Sequence, residues 1–219
     1  MKVLATAAAV LAASMAGVAA AGTSSLSFGS TVIDGFGTLG KYSGSIDWTH
    51  TSGAGSGTLT VTLKNLATTA SGGKLTGFVF NGPLQGLSYA LSTKPNAAWS
   101  KTSSNENAAP FGSYTVGAAL GGNFLGGGNP NNGLGIGSEF SFDFTVSGNS
   151  SILDALSASS FWTSSDGNPA FVARFRGFAG GGSDKSPAAA LQVVPVPLPV
   201  GLAAAGLIGA IALRRRTKA

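Results

Sequence analysis

The sequence predicts an all-β protein, an antiparallel β-sandwich or jelly-roll-like domain. Several stretches alternate apolar and polar residues with a period of two, which is the pattern of strands with one buried face. Glycine-rich segments separate these stretches, and glycine contributes 34 of the 219 residues. Only 10% of the residues are charged, which is too few for the Glu- and Lys-rich helices of a bundle.

The strands are predicted from their alternation. In residues 139–146 four apolar side chains share one face: Phe140, Phe142, Phe144 and Val146. Similar patterns, or shorter apolar runs, occupy 26–33, 45–50, 58–64, 87–92, 113–118 and 171–176. Residues 75–80 are apolar on both faces, which is typical of a central strand. Since each half-apolar strand needs a dry partner, we expect two sheets packed face to face.

One short helix is predicted at 150–158, with a serine as its N-cap and Ile152, Leu153 and Leu156 buried. Glycine-rich turns are expected at 51–57, 121–137 and 180–186. These elements make one domain, residues 22–187, followed by a linker at 188–194.

The positive charge of the chain lies at its two ends. The excess of +5 is contributed by Lys2, Arg214, Arg215, Arg216 and Lys218. Residues 22–194 contain eight bases and eight acids, so this part has no basic excess for phosphates and no nucleic-acid partner is expected. The absence of cysteine excludes disulfide scaffolds, zinc–thiolate sites and thiol catalysis.

Residues 1–21 have the three parts of a secretory signal peptide. Lys2 is the positive start, residues 3–15 are apolar, and Ala19, Ala20 and Ala21 form a small-residue cleavage site. We expect cleavage after Ala20 or Ala21 by the export machinery, the alternative being a retained membrane anchor. Export also implies that no cofactor such as ATP or a nicotinamide is used.

The C-terminal region, residues 195–219, combines a proline motif, an apolar segment and a basic cluster. The segment 200–213 has 14 uncharged residues, about 21 Å as a helix at ~1.5 Å per residue. This is short of the roughly 30 Å hydrocarbon core, a gap that snorkelling arginines reduce. Arg214, Arg215 and Arg216 then form a stop-transfer cluster on the cytoplasmic side.

This layout resembles the PEP-CTERM sorting signals that exosortases process, in their Val-Pro-Leu-Pro variant. The motif comprises Val194, Pro195, Val196, Pro197, Leu198 and Pro199. It departs from the commonest form because no Glu stands between the prolines. The resemblance implies a transient inner-membrane anchor, cut at the proline motif by an exosortase-like membrane protease, and then release or attachment at the cell surface. The alternative is an ordinary tail-anchored protein.

Two segments of the body also resemble, more loosely, the ectodomains that carry such signals. They are residues 60–69 with 74–81, and residues 171–177 with the following Gly-Gly-Gly-Ser-Asp-Lys185. This resemblance favours the sandwich and implies no activity.

Candidate chemistry in the body is sparse. His50 is the only histidine, so it is the only base for a Ser-His-Asp triad, and we interpret it as a packed side chain. Glu139 and Asp143 share a strand face about 13 Å apart, beyond the roughly 5–9.5 Å of glycosidases. Asp47 or Asp166 could approach them in the fold.

Two loops and the large aromatic residues remain as candidates. The run 126–137 lacks the Gly-Lys-Ser/Thr ending of a phosphate loop, and 166–168 with 182–184 offers oxygen ligands for calcium. The tryptophans and tyrosines, Trp99 first, could stack on sugar rings, although rings that cap the core edges are the preferred interpretation. The set is Trp48, Trp99, Trp162, Tyr42, Tyr89 and Tyr114. No catalytic, cofactor or metal residue is assigned.

These observations predict an exported, exosortase-processed surface or extracellular-matrix protein with a structural or adhesive role and no catalytic activity. Its partners would be the export machinery, the protease, the inner membrane transiently, and extracellular polysaccharide. The alternative is a secreted carbohydrate- or ligand-binding β-sandwich module, with a secreted hydrolase third.

Overall fold

The computed structural model describes residues 21–83, 85–164 and 167–194. These contain strands β1 (Ala21–Ser30), β2 (Tyr42–Thr51), β3 (Ser56–Asn65), β4 (Gly72–Phe80), β5 (Ser88–Thr93), β6 (Trp99–Lys101), β7 (Glu106–Asn107), β8 (Ser113–Tyr114), β9 (Val116–Leu120), β10 (Glu139–Ser147), β11 (Phe171–Phe178) and β12 (Ser183–Val194). One short helix, α1 (Ser150–Asp154), and 3-10 turns at 130–132 and 158–161 complete them.

Ten of these strands form one antiparallel sheet in the order β5-β10-β3-β2-β1-β12-β11-β4-β9-β6. The sheet is nearly closed, since its two outermost strands, β5 and β6, approach each other. β7 and β8 pair separately as a small hairpin. The predicted all-β, antiparallel class is confirmed.

β12 joins the two halves of the sheet. Residues 183–187 pair with β11, and residues 188–194 pair with β1. The halves β5-β10-β3-β2-β1 and β11-β4-β9-β6 face each other, and β12 joins them into one continuous sheet. The two separate sheets expected from the sequence are therefore replaced by a single, nearly closed sheet, because one strand changes partners.

The prediction of a linker at residues 188–194 is wrong. This segment is the second half of β12, with Ala188 opposite Ser30 and Val194 opposite Ser25. The sequence Ala-Ala-Ala-Leu-Gln-Val-Val shows no alternation. It is a strand because the backbone groups along β1 need partners. The sheet therefore extends from Ala21 to Val194 rather than ending at residue 187.

The core is a layer of aromatic rings between the two halves. The Phe78 ring of β4 lies 4.8 Å from that of Phe142 and 6.3 Å from that of Phe144, both on the opposing β10. It also stacks at 5.7 Å on Phe171 of β11. All four side chains are fully buried, so the core depends on edge-to-face and stacked rings drawn from both halves.

Several predicted elements are refined by the structure. β4 lies inside the sheet, between β11 and β9, as its two apolar faces indicated. The predicted strand 113–118 is two strands with a break at Thr115, whose hydroxyl donates to the Gly82 carbonyl. The helix is only Ser150–Asp154, and its N-cap is Asn149 rather than a serine, since the Asn149 side chain accepts from the Ser151 N–H. Of its predicted apolar residues only Leu153 is fully buried.

The outer faces of the two halves differ. On the β11-β4 side, Val79 and Val172 point outward and are covered by Phe111, Tyr114 and Phe124 from the connecting loops. On the β1-β2-β3-β10 side, the outward positions are mostly Ser, Thr and acidic residues, together with Gly29 and Lys64. One half thus has a second apolar layer, and the other presents a polar surface.

We expect Phe78→Ala to lower the free energy of unfolding by about 3–5 kcal/mol, because it opens a cavity at the centre of the ring layer. Val32→Ala, at a side chain that is 50% exposed, should change stability by less than about 0.5 kcal/mol. Denaturant unfolding measures both. Similar small effects for the two variants would contradict the described core.

The three tyrosines predict a shared response to alkaline pH. Each hydroxyl donates to a backbone carbonyl, Tyr42 to Ser186, Tyr89 to Pro83 and Tyr114 to Pro169. Burial raises the pKa of all three above the usual tyrosine value. The unfolded chain ionises near pH ~10 while the folded one does not, so stability is complete below that pH and falls as the pH rises above it.

We therefore expect tyrosinate absorbance to appear only together with loss of the β-sheet circular dichroism signal. The same titration in denaturant, where the side chains are exposed, should give ionisation near pH ~10. Ionisation near that pH with a native dichroism spectrum would show that the tyrosines are accessible and would contradict their burial.

Candidate functional site

Most residues of the predicted delivery signals lie outside the described part of the chain. These are Ala19, Ala20, the proline motif from Pro195 to Pro199, the apolar segment 200–213 and the cluster Arg214, Arg215 and Arg216. Two residues at their borders are described, Ala21 as the first of β1 and Val194 as the last of β12. Within the described ranges, none of the helices has the length and hydrophobicity needed to cross a membrane.

These two border residues lie at the same end of neighbouring strands. β1 and β12 are antiparallel, and Val194 is opposite Ser25. Ala21 is four residues before Ser25, which places it about 14 Å farther along β1 at ~3.4 Å per residue. The first residue of β1 and the last residue of β12 therefore lie at the same end of the sheet, offset by about 14 Å along the strands.

The polar face of β1, β2, β3 and β10 is a regular array. Strand register aligns its side chains in rows that cross the four strands. One row is Thr23, Thr49, Thr58 and Thr145; the next is Ser25, Asp47, Thr60 and Asp143; the third is Ser27, Ser45, Thr62 and Ser141. Adjacent side chains in a row are about 4.8 Å apart, so hydroxyl groups cover the surface.

Hydrogen bonds within this array fix some of its groups. Thr60 Oγ1 donates to Asp143 Oδ1 at 2.7 Å, and Ser45 Oγ donates to Asp47 Oδ2 at 2.8 Å. The hydroxyls of Thr62 and Ser141 are 2.8 Å apart. The carboxylates of Asp47 and Asp143 are thus bound by neighbouring hydroxyl groups.

A depression of about 310 Å³ lies at one end of the polar face. Its floor includes Ser27, Ser43 and Ser45, and it extends to Lys64 and Glu139, which are opposite each other on β3 and β10. A β-bulge forms one side. Ser27 is opposite Gln192 and Phe28 opposite Ala190, so Leu191 is the additional residue. Its side chain is 69% exposed and borders the depression.

The candidate carboxylate pair Glu139 and Asp143 stays on one open strand face. The structure brings Asp47 into the row of Asp143, on the other side of Thr60. Two strand spacings place the backbones of these aspartates about 10 Å apart, near the upper limit for an inverting glycosidase. Asp166 lies outside the described residues. Both described aspartates accept hydrogen bonds from hydroxyls of the array.

His50 is a packed side chain, as expected. It is 5% exposed and stacks on Trp48 with ring centroids 5.8 Å apart. Its Nδ1 lies 3.3 Å from Asp154 Oδ1, and its Nε2 lies 3.0 Å from the Ala54 carbonyl oxygen. Both ring nitrogens face oxygen atoms of the protein, so neither is placed to activate a serine.

The structure overturns Trp99 as a sugar-stacking residue. Its ring is fully buried against Phe142, and its Nε1 donates to the Asn132 carbonyl. The three-residue strand β6 is too short to show alternation, which is why a core residue stands in a polar stretch of sequence. Trp48, Tyr42 and Tyr114 are also buried. Trp162 and Tyr89 are half-buried and pack against the core.

Asp184, a candidate calcium ligand, instead binds backbone. Its carboxylate accepts from the N–H groups of Gly37, Leu39 and Gly40 at 2.8–3.0 Å. Glu106 is used in the same way and accepts from the N–H groups of Phe124 and Ser103. Both buried carboxylates thus use their hydrogen bonds to hold loops in place. The described residues contain no cluster of three metal-ligating side chains.

Residues 22–194 contain equal numbers of acidic and basic residues, but the fold gathers several of the basic ones on one face. Arg174 is opposite Lys185, and Arg176 is opposite Lys74, so four cations share the outer side of β4, β11 and β12. Burial, with a further contribution from Arg176, lowers the pKa of Arg174, and burial with Arg174 lowers the pKa of Lys185. We name these four residues the basic face.

The basic face fixes the glycine-rich loop. Arg174 Nη1 donates to the carbonyls of Phe124 and Gly126, and Arg176 Nη1 donates to those of Gly127 and Gly128. The loop therefore presents carbonyl oxygens to two arginines, an arrangement opposite to a phosphate loop, whose N–H groups bind an anion.

Comparisons with protein-family models, with curated proteins and with solved structures gave no match.

We expect Asp184→Asn to lower the free energy of unfolding by about 2–3 kcal/mol, since an amide loses the charge-assisted bonds to buried N–H groups. Asp34→Asn is the matched control, because Asp34 is exposed and Asn tolerates its positive φ of 49°. Denaturant unfolding of both variants tests the role of Asp184. Equal stability of the two would show that the carboxylate does not hold the loop.

Proposed function

We propose that this chain is an exported surface or extracellular-matrix protein with a structural or adhesive role and no catalytic activity. In this proposal a sandwich or jelly-roll-like ectodomain lies between a signal peptide and a PEP-CTERM-like sorting signal of the Val-Pro-Leu-Pro type. The export machinery and an exosortase-like protease act on it in turn. It is anchored transiently in the inner membrane by one helix and ends at the cell surface or outside the cell.

The observation that carries this proposal is the common exit of the two ends of the sheet. Ala21 and Val194 lie at the same end of the neighbouring strands β1 and β12. A signal peptide before Ala21 and a membrane helix after Val194 would thus meet one membrane from one side of the domain. This agrees with the sequence, in which Lys2 and the Arg214–Arg216 cluster place both outer ends in the cytoplasm.

The strand boundaries also agree with processing at both predicted sites. A cut after Ala20 or Ala21 leaves the pairs from Gly22 to Gly29 with β2 intact. A cut within Pro195–Pro199 leaves all of β12 paired with β1. The body would therefore keep its fold after both cuts, as release from the membrane requires.

A structural or adhesive role is supported by how the reactive side chains are used. The ring nitrogens of His50 face protein oxygens, and the carboxylates of Asp184 and Glu106 hold loops. The large surface left open is the Ser/Thr array, whose hydroxyls both donate and accept. Such a surface suits contact with a hydrated matrix.

The second candidate function, a carbohydrate- or ligand-binding module, is favoured by the depression on the polar face. It concentrates hydroxyl, cationic and anionic groups beside Leu191. Trp99 is buried and gives this function no support. The binding site of such a module would therefore be the depression.

The delivery proposal is tested in the cells that produce the protein. We expect the variant lacking Pro195–Ala219 to lose membrane retention, because it lacks both the apolar segment and the stop-transfer charges. Mass spectrometry of the mature surface form should find its C-terminus between Val194 and Pro199, because the sheet shields the preceding backbone.

Two sets of substitutions distinguish loss of anchoring from side effects of the deletion, one that removes the stop-transfer charge and one that keeps it. Changing Arg214, Arg215 and Arg216 to Gln should weaken retention, whereas changing them to Lys, which keeps the stop-transfer charge, should preserve it. An intact Arg-Arg-Arg-Thr-Lys-Ala end on the surface form would contradict sorting and support a tail-anchored protein. Unchanged fractionation of the deletion variant would contradict anchoring itself.

A further inference from the structure

We propose that the depression on the polar face binds a neutral hexose unit of an extracellular polysaccharide. The inference deepens the second candidate function and rests on it, but it does not depend on proteolytic processing. Three features carry it: the size and shape of the depression, the chemistry of its groups, and the balance of their charges.

The shape comes from short side chains beside longer ones. Ser27, Ser43 and Ser45 line the floor, and Gly29, the neighbour of Ser43 in its row, leaves room for the Leu191 side chain. Leu191 borders the depression on one side, with Lys64 and Glu139 on the other. The volume of about 310 Å³ lies at the lower end of the range for small-molecule sites, which suits one ring and not a large ligand.

The hydroxyl groups match those of a sugar, since both kinds donate and accept. Ser43 lies between Gly29 and Lys64, and its hydroxyl has no hydrogen-bond partner among the described side chains, which leaves it available to a ligand. Thr62 contacts Ser141 and Ser45 donates to Asp47, yet each oxygen retains a lone pair. The exposed Leu191 side chain offers an apolar surface for the C–H groups of the ring.

The charges favour a neutral ligand. Lys64 and Glu139 occupy opposite positions on β3 and β10, and neither forms an ion pair within the described ranges. The ammonium can donate to one sugar hydroxyl and the carboxylate can accept from another, which are charge-assisted bonds. Their sum is zero, so an anionic sugar gains no net attraction here and would be drawn to the basic face instead.

The bulge in β12 gives the site its apolar border. A regular strand alternates its side chains between the faces, but the additional residue at Leu191 breaks the alternation between Ala190 and Gln192. Bulges often redirect a side chain beside a functional site. The site is therefore assembled from β1, β2, β3, β10 and β12, strands distant in sequence.

The test uses the full chain in a zwitterionic detergent that carries no sugar. Oligomers of glucose, mannose and N-acetylglucosamine are titrated by calorimetry, with polygalacturonate as the anionic comparison. We expect saturable binding of at least one neutral oligomer. Ser43→Leu, which fills the depression, and Glu139→Gln, which removes the charged acceptor, should each weaken binding by about tenfold or more.

Thr49→Leu is the matched control, because Thr49 lies on the same face of β2 but outside the depression, and its affinity should equal that of the unaltered chain. Absence of binding to all three neutral oligomers would overturn the proposal. So would equal losses for Ser43→Leu and Thr49→Leu, or tighter binding of polygalacturonate, which would place binding on the basic face. Correct cellular processing of a chain that binds no oligomer would refute this site alone.

Discussion

The pairing of β12 with two partners is the interaction on which the rest of the structure depends. Its first half hydrogen-bonds to β11 and its second half to β1, so one strand turns two half-sheets into a nearly closed sheet. The Phe78, Phe142 and Phe171 rings meet only because this connection places β4 and β11 opposite β10. The same strand brings the end of the sheet at Val194 beside its beginning, and its bulge exposes Leu191.

The start of β12 is fixed by polar groups rather than by apolar packing. The Asp184 carboxylate accepts hydrogen bonds from three N–H groups of the loop between β1 and β2, those of Gly37, Leu39 and Gly40. The Tyr42 hydroxyl donates to the Ser186 carbonyl. A buried carboxylate is costly unless its oxygens are satisfied. Satisfying them here ties the segment between β1 and β2 to the strand that closes the sheet, so polar burial contributes to the specificity of the fold.

The two outer faces of the sheet have opposite chemical character. The β1-β2-β3-β10 face carries hydroxyls together with three acids, Asp47, Asp143 and Glu139, and one base, Lys64. The basic face carries Arg174 and Lys185 opposite each other. A total of eight acids and eight bases in residues 22–194 therefore describes neither face. The net charge of zero still argues against a protein that is basic over its whole surface. A partner contacts one face at a time, however, and the charge of that face decides which partners it attracts.

The sequence by itself determined the strand class, most strand positions and the central place of β4, because side-chain alternation records which face of a strand is buried. It could not reveal the strand at 188–194, the burial of Trp99 or the uses of Asp184, since backbone pairing and loop contacts leave no periodic pattern. The depression was equally invisible, because Ser27, Ser43, Thr62 and Leu191 come from four strands. Only the tertiary structure decided these features, since the register between strands, and not the order of residues within one, sets which side chains meet.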